Sequence, residues 1–185
     1  MDKLFNNHEL HLIEEGDNFK LYQLKDNRYG YMQSCYISFS MEHICIFGDM
    51  VPRNHGVNSI IGYGENWFSK ELGQYYLCEK FLEKDWFSEL AVNHLKDKYN
   101  LEYYFGENYE DYEDEINDMI TSLECGEMGC EGLANAIEAI CEDTLEEMPG
   151  YGYNPRDADL LHAIQKRFSK LKKEEDSNEI KKHTT

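Results

Sequence analysis

The sequence predicts an α+β fold: an N-terminal antiparallel β-meander packed with helices, followed by an acidic helical region. Three observations predict it. Residues 19–47 alternate apolar and polar side chains in short segments joined by turn residues, the period of half-buried strands. From Trp67 onward the apolar residues recur at three- and four-residue steps, the period of helices. Charge is also segregated. Residues 99–155 hold sixteen acids and no Lys or Arg, whereas residues 1–98 hold fifteen acids and ten bases and residues 156–185 hold six and eight.

In chain order, FKLYQLK (19–25) is the first clear strand and runs into the turn sequence DNRYG. SCYISFS (34–40) sends Cys35, Ile37 and Phe39 to one face. After a short turn, ICIF (44–47) continues as a buried strand ending at Gly48-Asp49. Connections this short predict antiparallel neighbours. MVPRNHGVNSIIGYG (50–64) reads as a loop because Pro52, Gly56, Gly62 and Gly64 punctuate it.

Helical patterning then places Trp67, Phe68, Leu72, Tyr76, Leu77 and Phe81 on one side, and continues through residues 83–99 with Trp86, Leu90 and Leu95. An acidic helix is predicted from Asn108, a good N-cap with Asp111 at the capping-box distance. Its apolar stripe is Tyr109, Tyr112, Ile116, Met119, Ile120 and Leu123, and Gly126 is its stop. A second acidic helix over 131–147 turns Leu133, Ile137, Ile140 and Cys141 inward. The last helix starts at the cap Asn154 with Pro155 in the first turn, and its stripe is Leu160, Leu161, Ile164, Phe168 and Leu171. These patterns predict a core domain over 1–100, an acidic helical lobe over 101–173, either separate or part of the same domain, and a flexible tail over 174–185.

Bulk properties narrow the function. The chain contains no run of about 18 apolar residues that would span a membrane, and its first residues lack a signal pattern. A cytoplasmic protein is expected. The six cysteines fit reduced thiols there. Cys125 and Cys130 lie five apart in CGEMGC, but no second Cys or His pair completes a zinc site. DYEDEIND has oxygen ligands without the central Gly and ligand spacing of a calcium loop. No cofactor is implied. A net charge of −19 repels nucleic acid and membrane surfaces and attracts basic partners.

Ordinary solvated helices mix their signs, because Glu–Lys pairs at i,i+4 stabilise by about 0.2–0.5 kcal/mol and like pairs cost a similar amount. On one continuous helix, Glu110, Asp111, Asp114, Glu115 and Asp118 would stack like charges, and Glu138, Glu142 and Glu146 would repeat the arrangement. The repulsion would sum to about 1–3 kcal/mol. Carboxylates three or four apart on a helix stand about 5–6 Å apart, and duplex DNA carries one charge per about 1.7 Å of axis. Those eight residues therefore form the candidate partner-binding site, a surrogate for DNA phosphates aimed at a basic nucleic-acid-binding protein. Tyr103 and Tyr104 are either rim contacts or core.

Two other classes compete. GDMVPR (48–53) follows a strand and fits one element of dinuclear metallophosphatases, so Asp49, His43 and His55 are the candidates for a small metal-dependent phosphoesterase or nucleotide-processing enzyme. That chemistry needs further ligands from other strand ends, and neither an upstream Asp-x-His nor a later Gly-Asn-His-Glu follows the pattern. The third class is an acidic adaptor for a basic host protein, which would not compete with DNA.

The string ICIFGDMVPRNHGVNSIIGYGENWFSKELGQYYLCEKFLEKDWFSELA (44–91) resembles a loosely defined group of bacteriophage- and prophage-encoded proteins. The shared pattern is a strand ending in Gly48-Asp49, a Pro/Gly loop, the GYG of 62–64, Trp67-Phe68 and YLCEKFL over 76–82. No activity attaches to that group, so the resemblance supplies no catalytic residue. It implies an accessory phage protein acting in the host cytoplasm. Combined with the charge, it points to a non-catalytic inhibitor of a bacterial DNA-targeting defence, a CRISPR effector or a restriction nuclease.

Overall fold

The computed structural model describes residues 5–29, 34–51, 57–141 and 148–183. The chain divides into two compact units, cut between Leu82 and Glu83 and again between Asn154 and Pro155. The boundary expected near residue 100 therefore falls earlier, and the last helix belongs with the N-terminal sheet.

The first unit is built on a five-stranded antiparallel sheet in sequential order, from β1 (His8–Gly16) through β2 (Phe19–Asp26), β3 (Ser34–Ser40) and β4 (His43–Phe47) to β5 (Val57–Ile61). The β2, β3 and β4 segments follow the alternation in the sequence. Leu24 pairs with Cys35, Ile37 with Ile46, and Phe39 with Ile44, which puts these side chains on one buried face. Two strands carry no clear signal in the sequence. The alternation of β1 breaks at Ile13, where a bulge shifts the register between Leu12 and Glu14 and leaves Leu12 and Ile13 exposed. The β5 strand lies within the segment whose Pro and Gly content signals a loop.

Helices α1 (Glu65–Phe68), α2 (Gln74–Phe81) and α7 (Pro155–His183) complete the core of this unit. Phe168 on α7 meets the rings of Tyr22, Phe39 and Phe68 at centroid distances of 5.4, 5.5 and 5.4 Å. The neighbouring polar groups are used as well. The buried Gln165 side chain donates to the carbonyls of Phe68 and Lys70, and Ser169 Oγ donates to the Ser69 carbonyl at 2.6 Å. The backbone that leaves α1 has its acceptors satisfied by α7 in this way. Residues 174–183, expected as a flexible tail, continue α7 as helix.

The second unit comprises β6 (Asp85–Trp86), α3 (Ser88–Lys96), α4 (Lys98–Phe105), a 3₁₀ turn (Tyr109–Tyr112), α5 (Glu113–Glu124), α6 (Cys130–Glu138) and β7 (Tyr151–Gly152). Leu95, Ile116, Met119, Leu123, Leu133 and Ile137 lie at its centre. Trp86, expected on a helix, instead pairs with Tyr151 in the short β6–β7 ladder and donates its indole N–H to the Pro149 carbonyl at 3.0 Å. The side chain of Asp97 separates α3 from α4 by capping the Tyr99 and Asn100 amides. Tyr104 is buried with its hydroxyl 3.1 Å from His94 Nδ1, so it belongs to the core, whereas Tyr103 is 60% exposed.

Candidate functional site

The second unit carries nearly all the protein's net charge. Residues 83–154 hold twenty acids and three bases, a net −17, and the remainder holds seventeen and fifteen, a net −2. The apolar stripe on α5 explains how the charge is displayed. Ile116, Met119, Ile120 and Leu123 occupy the i, i+3, i+4 and i+7 positions and are buried, so Asp114, Glu115 and Asp118 project into solvent. All twelve Asp and Glu side chains of residues 102–138 are exposed. Among the described residues, ion pairs reach two of them: Lys98 with Glu102 at 3.6 Å and Lys96 with Glu124 at 2.5 Å. Each cation lies N-terminal to the basic-free stretch.

The acidic block is not one continuous helix. Asn108 makes no capping bond with its side chain, and residues 109–112 form a 3₁₀ turn before α5 begins at Glu113. Glu110 and Asp111 therefore sit on the turn, while Asp114, Glu115 and Asp118 sit on α5. The like-charge pairs with helical spacing reduce to Asp114 with Asp118 and Glu115 with Asp118, a repulsion of about 0.4–1 kcal/mol. Glu113, Asp114 and Glu115 also occupy the first turn of α5, where the N-terminal end of the helix dipole favours negative charge and offsets part of that cost. A fold can therefore hold these acids together more cheaply than one long helix would.

The expected stop at Gly126 is present, with φ +74. The Glu127 amide bonds the Ser122 carbonyl at 2.9 Å and the Gly126 amide bonds that of Leu123 at 3.2 Å, which together close α5 as a Schellman motif. Glu138 is exposed at the end of α6, and Glu142 and Glu146 lie outside the described residues.

Of the phosphoesterase candidates, His43 and Asp49 stand at opposite ends of one strand. His43 opens β4 and Asp49 follows its far end, so the strand alone separates them by about 13 Å at 3.3 Å per residue. His55 lies outside the described residues. Gly48 has a structural reason to be glycine: its φ is +119, and a Cβ there would stand 3.0 Å from the Ser34 carbonyl oxygen and 3.2 Å from Cys35 Cα. The other described parts of the 44–91 string also build fold. Gly62, at φ +89, turns the chain from β5 toward α1, with the amides of Gly62 and Tyr63 both on the Glu42 carbonyl at 2.6 and 3.2 Å. Trp67-Phe68 end α1, and residues 76–81 form most of α2. No group of three or more His, Cys, Asp or Glu among the described residues is arranged to hold a metal ion. Nor is any described helix long and apolar enough to cross a membrane. None of the six cysteines, all of them among the described residues, is joined in a disulfide; Cys125 and Cys130 are exposed.

One ionic cluster escaped the sequence altogether. In the first unit, Glu65 accepts a hydrogen bond from Tyr22 Oη at 2.6 Å and pairs with Lys20 at 3.2 Å and Lys172 at 3.3 Å. Burial and the hydrogen bond to Glu65 push the Tyr22 hydroxyl up to about 12, so it stays protonated and donates. Burial raises the Glu65 carboxyl, but Tyr22 and the two ammonium groups outweigh it and hold the pKa below the usual carboxylate value. A tyrosine held this firmly protonated is a poor base or nucleophile. The cluster fastens α1 and α7 to β2. Its bonded partners stand up to 150 residues apart in sequence, a separation to which no local pattern is sensitive.

A cleft of about 700 Å³ along α7 is lined by Lys166, Lys170 and Lys173 but also by Glu71 and Glu174. Its mixed signs select no partner. The acidic face of the second unit is the more distinctive feature. Comparison with protein-family models, with curated proteins and with solved structures finds no match for the chain.

Proposed function

We propose that the protein is a non-catalytic inhibitor of a basic nucleic-acid-binding enzyme, a host DNA-targeting defence such as a CRISPR effector or restriction nuclease. Its second unit lies in the enzyme's cationic DNA groove in place of the duplex. One observation carries this reading: a net charge of −17 collected on one folded unit beside a unit of −2, with all twelve acids of residues 102–138 exposed. Asp114 and Asp118 are about 6 Å apart along the axis of α5, a spacing on the scale of backbone phosphates. The 3₁₀ turn adds Glu110 and Asp111, and α6 adds Glu138. The resemblance of residues 44–91 to phage proteins supports a defence enzyme as the target.

The test is affinity capture from bacterial lysates that carry defined CRISPR and restriction systems, eluted with rising salt and challenged with duplex DNA. Contacts of this kind weaken as the screening length falls from about 10 Å at 0.1 M to about 3 Å at 1 M salt. A nuclease released by moderate salt and displaced by DNA is the expected result. Replacing Asp111, Asp114 and Asp118 together by Lys should abolish inhibition without unfolding the chain, and full inhibition by that variant would sink the proposal. A captured basic protein indifferent to DNA would replace the DNA surrogate with an adaptor.

A further inference from the structure

A phosphate surrogate needs only charge, yet the second unit also has an apolar concavity at its acidic surface. A cleft of about 440 Å³ opens where α3, α4 and α5 meet. Its floor is Leu95, Leu101, Ile116 and Ile120, with Tyr109 at one side. Glu110, Glu113 and Asn117 are exposed around it. Lys96 also borders it, but its ammonium group is 2.5 Å from Glu124, so that cation is already answered.

We propose that this cleft receives a bulky apolar side chain of the partner, an aromatic or large aliphatic residue flanked by Arg or Lys. The inference rests on the docking reading above and specifies what the partner presents there. Charge complementarity selects the occupant. The twelve exposed acids of residues 102–138 repel any acidic or phosphate-bearing segment from the cleft mouth and draw in a basic one. A purely cationic segment would leave the floor of Leu and Ile wet. A segment with an apolar residue among its cations satisfies rim and floor together. Volumes of this size accommodate ligand groups well, and buried aromatic anchors commonly dominate the binding energy of protein interfaces. The acids then govern the rate of encounter, while the anchor governs how slowly the complex separates.

Two synthetic peptides of equal charge provide the test on the intact chain: one with Trp at its centre between Lys and Arg residues, the other with Ser in that place. Burying the indole is expected to tighten binding by about tenfold or more, and to shift the methyl NMR signals of Leu101, Ile116 and Ile120 with the Trp peptide alone. Asn117→Trp fills the cleft without changing charge and should bring the Trp peptide down to the affinity of the Ser peptide. Because the peptide comparison uses the unaltered protein, it stands even if that variant folds poorly. Equal affinities for the two peptides overturn the cleft and leave the electrostatic surface standing. Failure of both to bind at low salt overturns the cleft and the basic-partner reading together.

Discussion

Gly150 is the position at which one added methyl group should do most damage to the acidic unit. Its φ is +92, which an L side chain rarely adopts, and a Cβ would stand 2.7 Å from Ala91 Cβ and 2.9 Å from both the Phe87 carbonyl oxygen and Trp86 Nε1. The left-handed backbone costs Ala about 1 kcal/mol or more, and forcing a methyl into packed surroundings adds about 1–3 kcal/mol. Relieving the clash by moving the backbone would strain the Phe87 amide bond to the Gly150 carbonyl, 2.9 Å, and the Gly150 amide bond to His94 Nδ1, 3.3 Å. Such bonds contribute about 1 kcal/mol each. Gly150→Ala should therefore cost about 3–5 kcal/mol, a large share of the stability of a unit this size at about 0.05–0.15 kcal/mol per residue. Gly126 is the internal control. Its φ is +74 but nothing lies within 4 Å of the added Cβ, so Gly126→Ala should cost only about 1 kcal/mol. The chain's two tryptophans, Trp67 and Trp86, fall one in each unit, so Trp67→Phe leaves Trp86 as the fluorescence reporter of the second unit during urea unfolding. With a slope of about 1–3 kcal/mol per molar urea, the two glycine variants should separate by roughly 1 M or more in midpoint. Equal, small losses in both variants would refute the close-approach argument.

The same reporter should register the like charges. Raising NaCl from low to about 0.5 M screens the Asp114–Asp118 and Glu115–Asp118 pairs and the wider field, stabilising the Trp86 unit by about 1 kcal/mol, while the Trp67 unit, at net −2, changes less; equal salt responses would contradict the segregation of charge. The Glu65 cluster predicts two limbs in a plot of first-unit stability against pH. Glu65 has a depressed pKa, so its contribution is present above the unfolded value near 4.3 and is lost as pH falls through the lower folded value. Tyr22 and Lys172 have raised values, so theirs is present below the unfolded values near 10 and is lost as pH rises toward 12. Urea midpoints read through Trp67 from acid to alkaline pH should show both limbs, with the acid limb shallower in Glu65→Gln; an acid limb unchanged in that variant would remove Glu65 from the account.

The strands and helices that the sequence announces are those whose apolar spacing is set by one buried face. The alternation of Cys35, Ile37 and Phe39 and the stripe of Leu161, Ile164 and Phe168 are of that kind, and each is buried as expected. The misses have identifiable physical causes. The β1 strand hides behind its bulge, and β5 behind the glycines and proline around it. The supposed helix at Trp86 is broken by a strand whose partner, Tyr151, is 65 residues away in sequence. The start of the acidic helix is misread because Asn108 and Asp111 satisfy a capping pattern that the backbone does not use. For the candidate site, the sequence identifies the acids and their exposure, since apolar spacing alone decides which side of α5 faces water. It does not reveal the cleft, whose floor is assembled from three helices, nor the ionic cluster around Glu65.

The pairing of β6 with β7 brings residues near the two ends of the acidic unit, Asp85 and Gly152, side by side at the separation of adjacent strands, about 4.8 Å. The unit is thus a loop of chain closed at its base, and in the sequence it is inserted between α2 and α7. During synthesis its residues are complete before α7 has been made. The sheet, α1 and α2 that precede it are translated earlier, yet Phe168 and the other apolar residues of α7 reach them only when the segment from Pro155 onward is made. The insert can therefore close before the first unit is complete, and the part of the core that α7 supplies stays open until that helix is made.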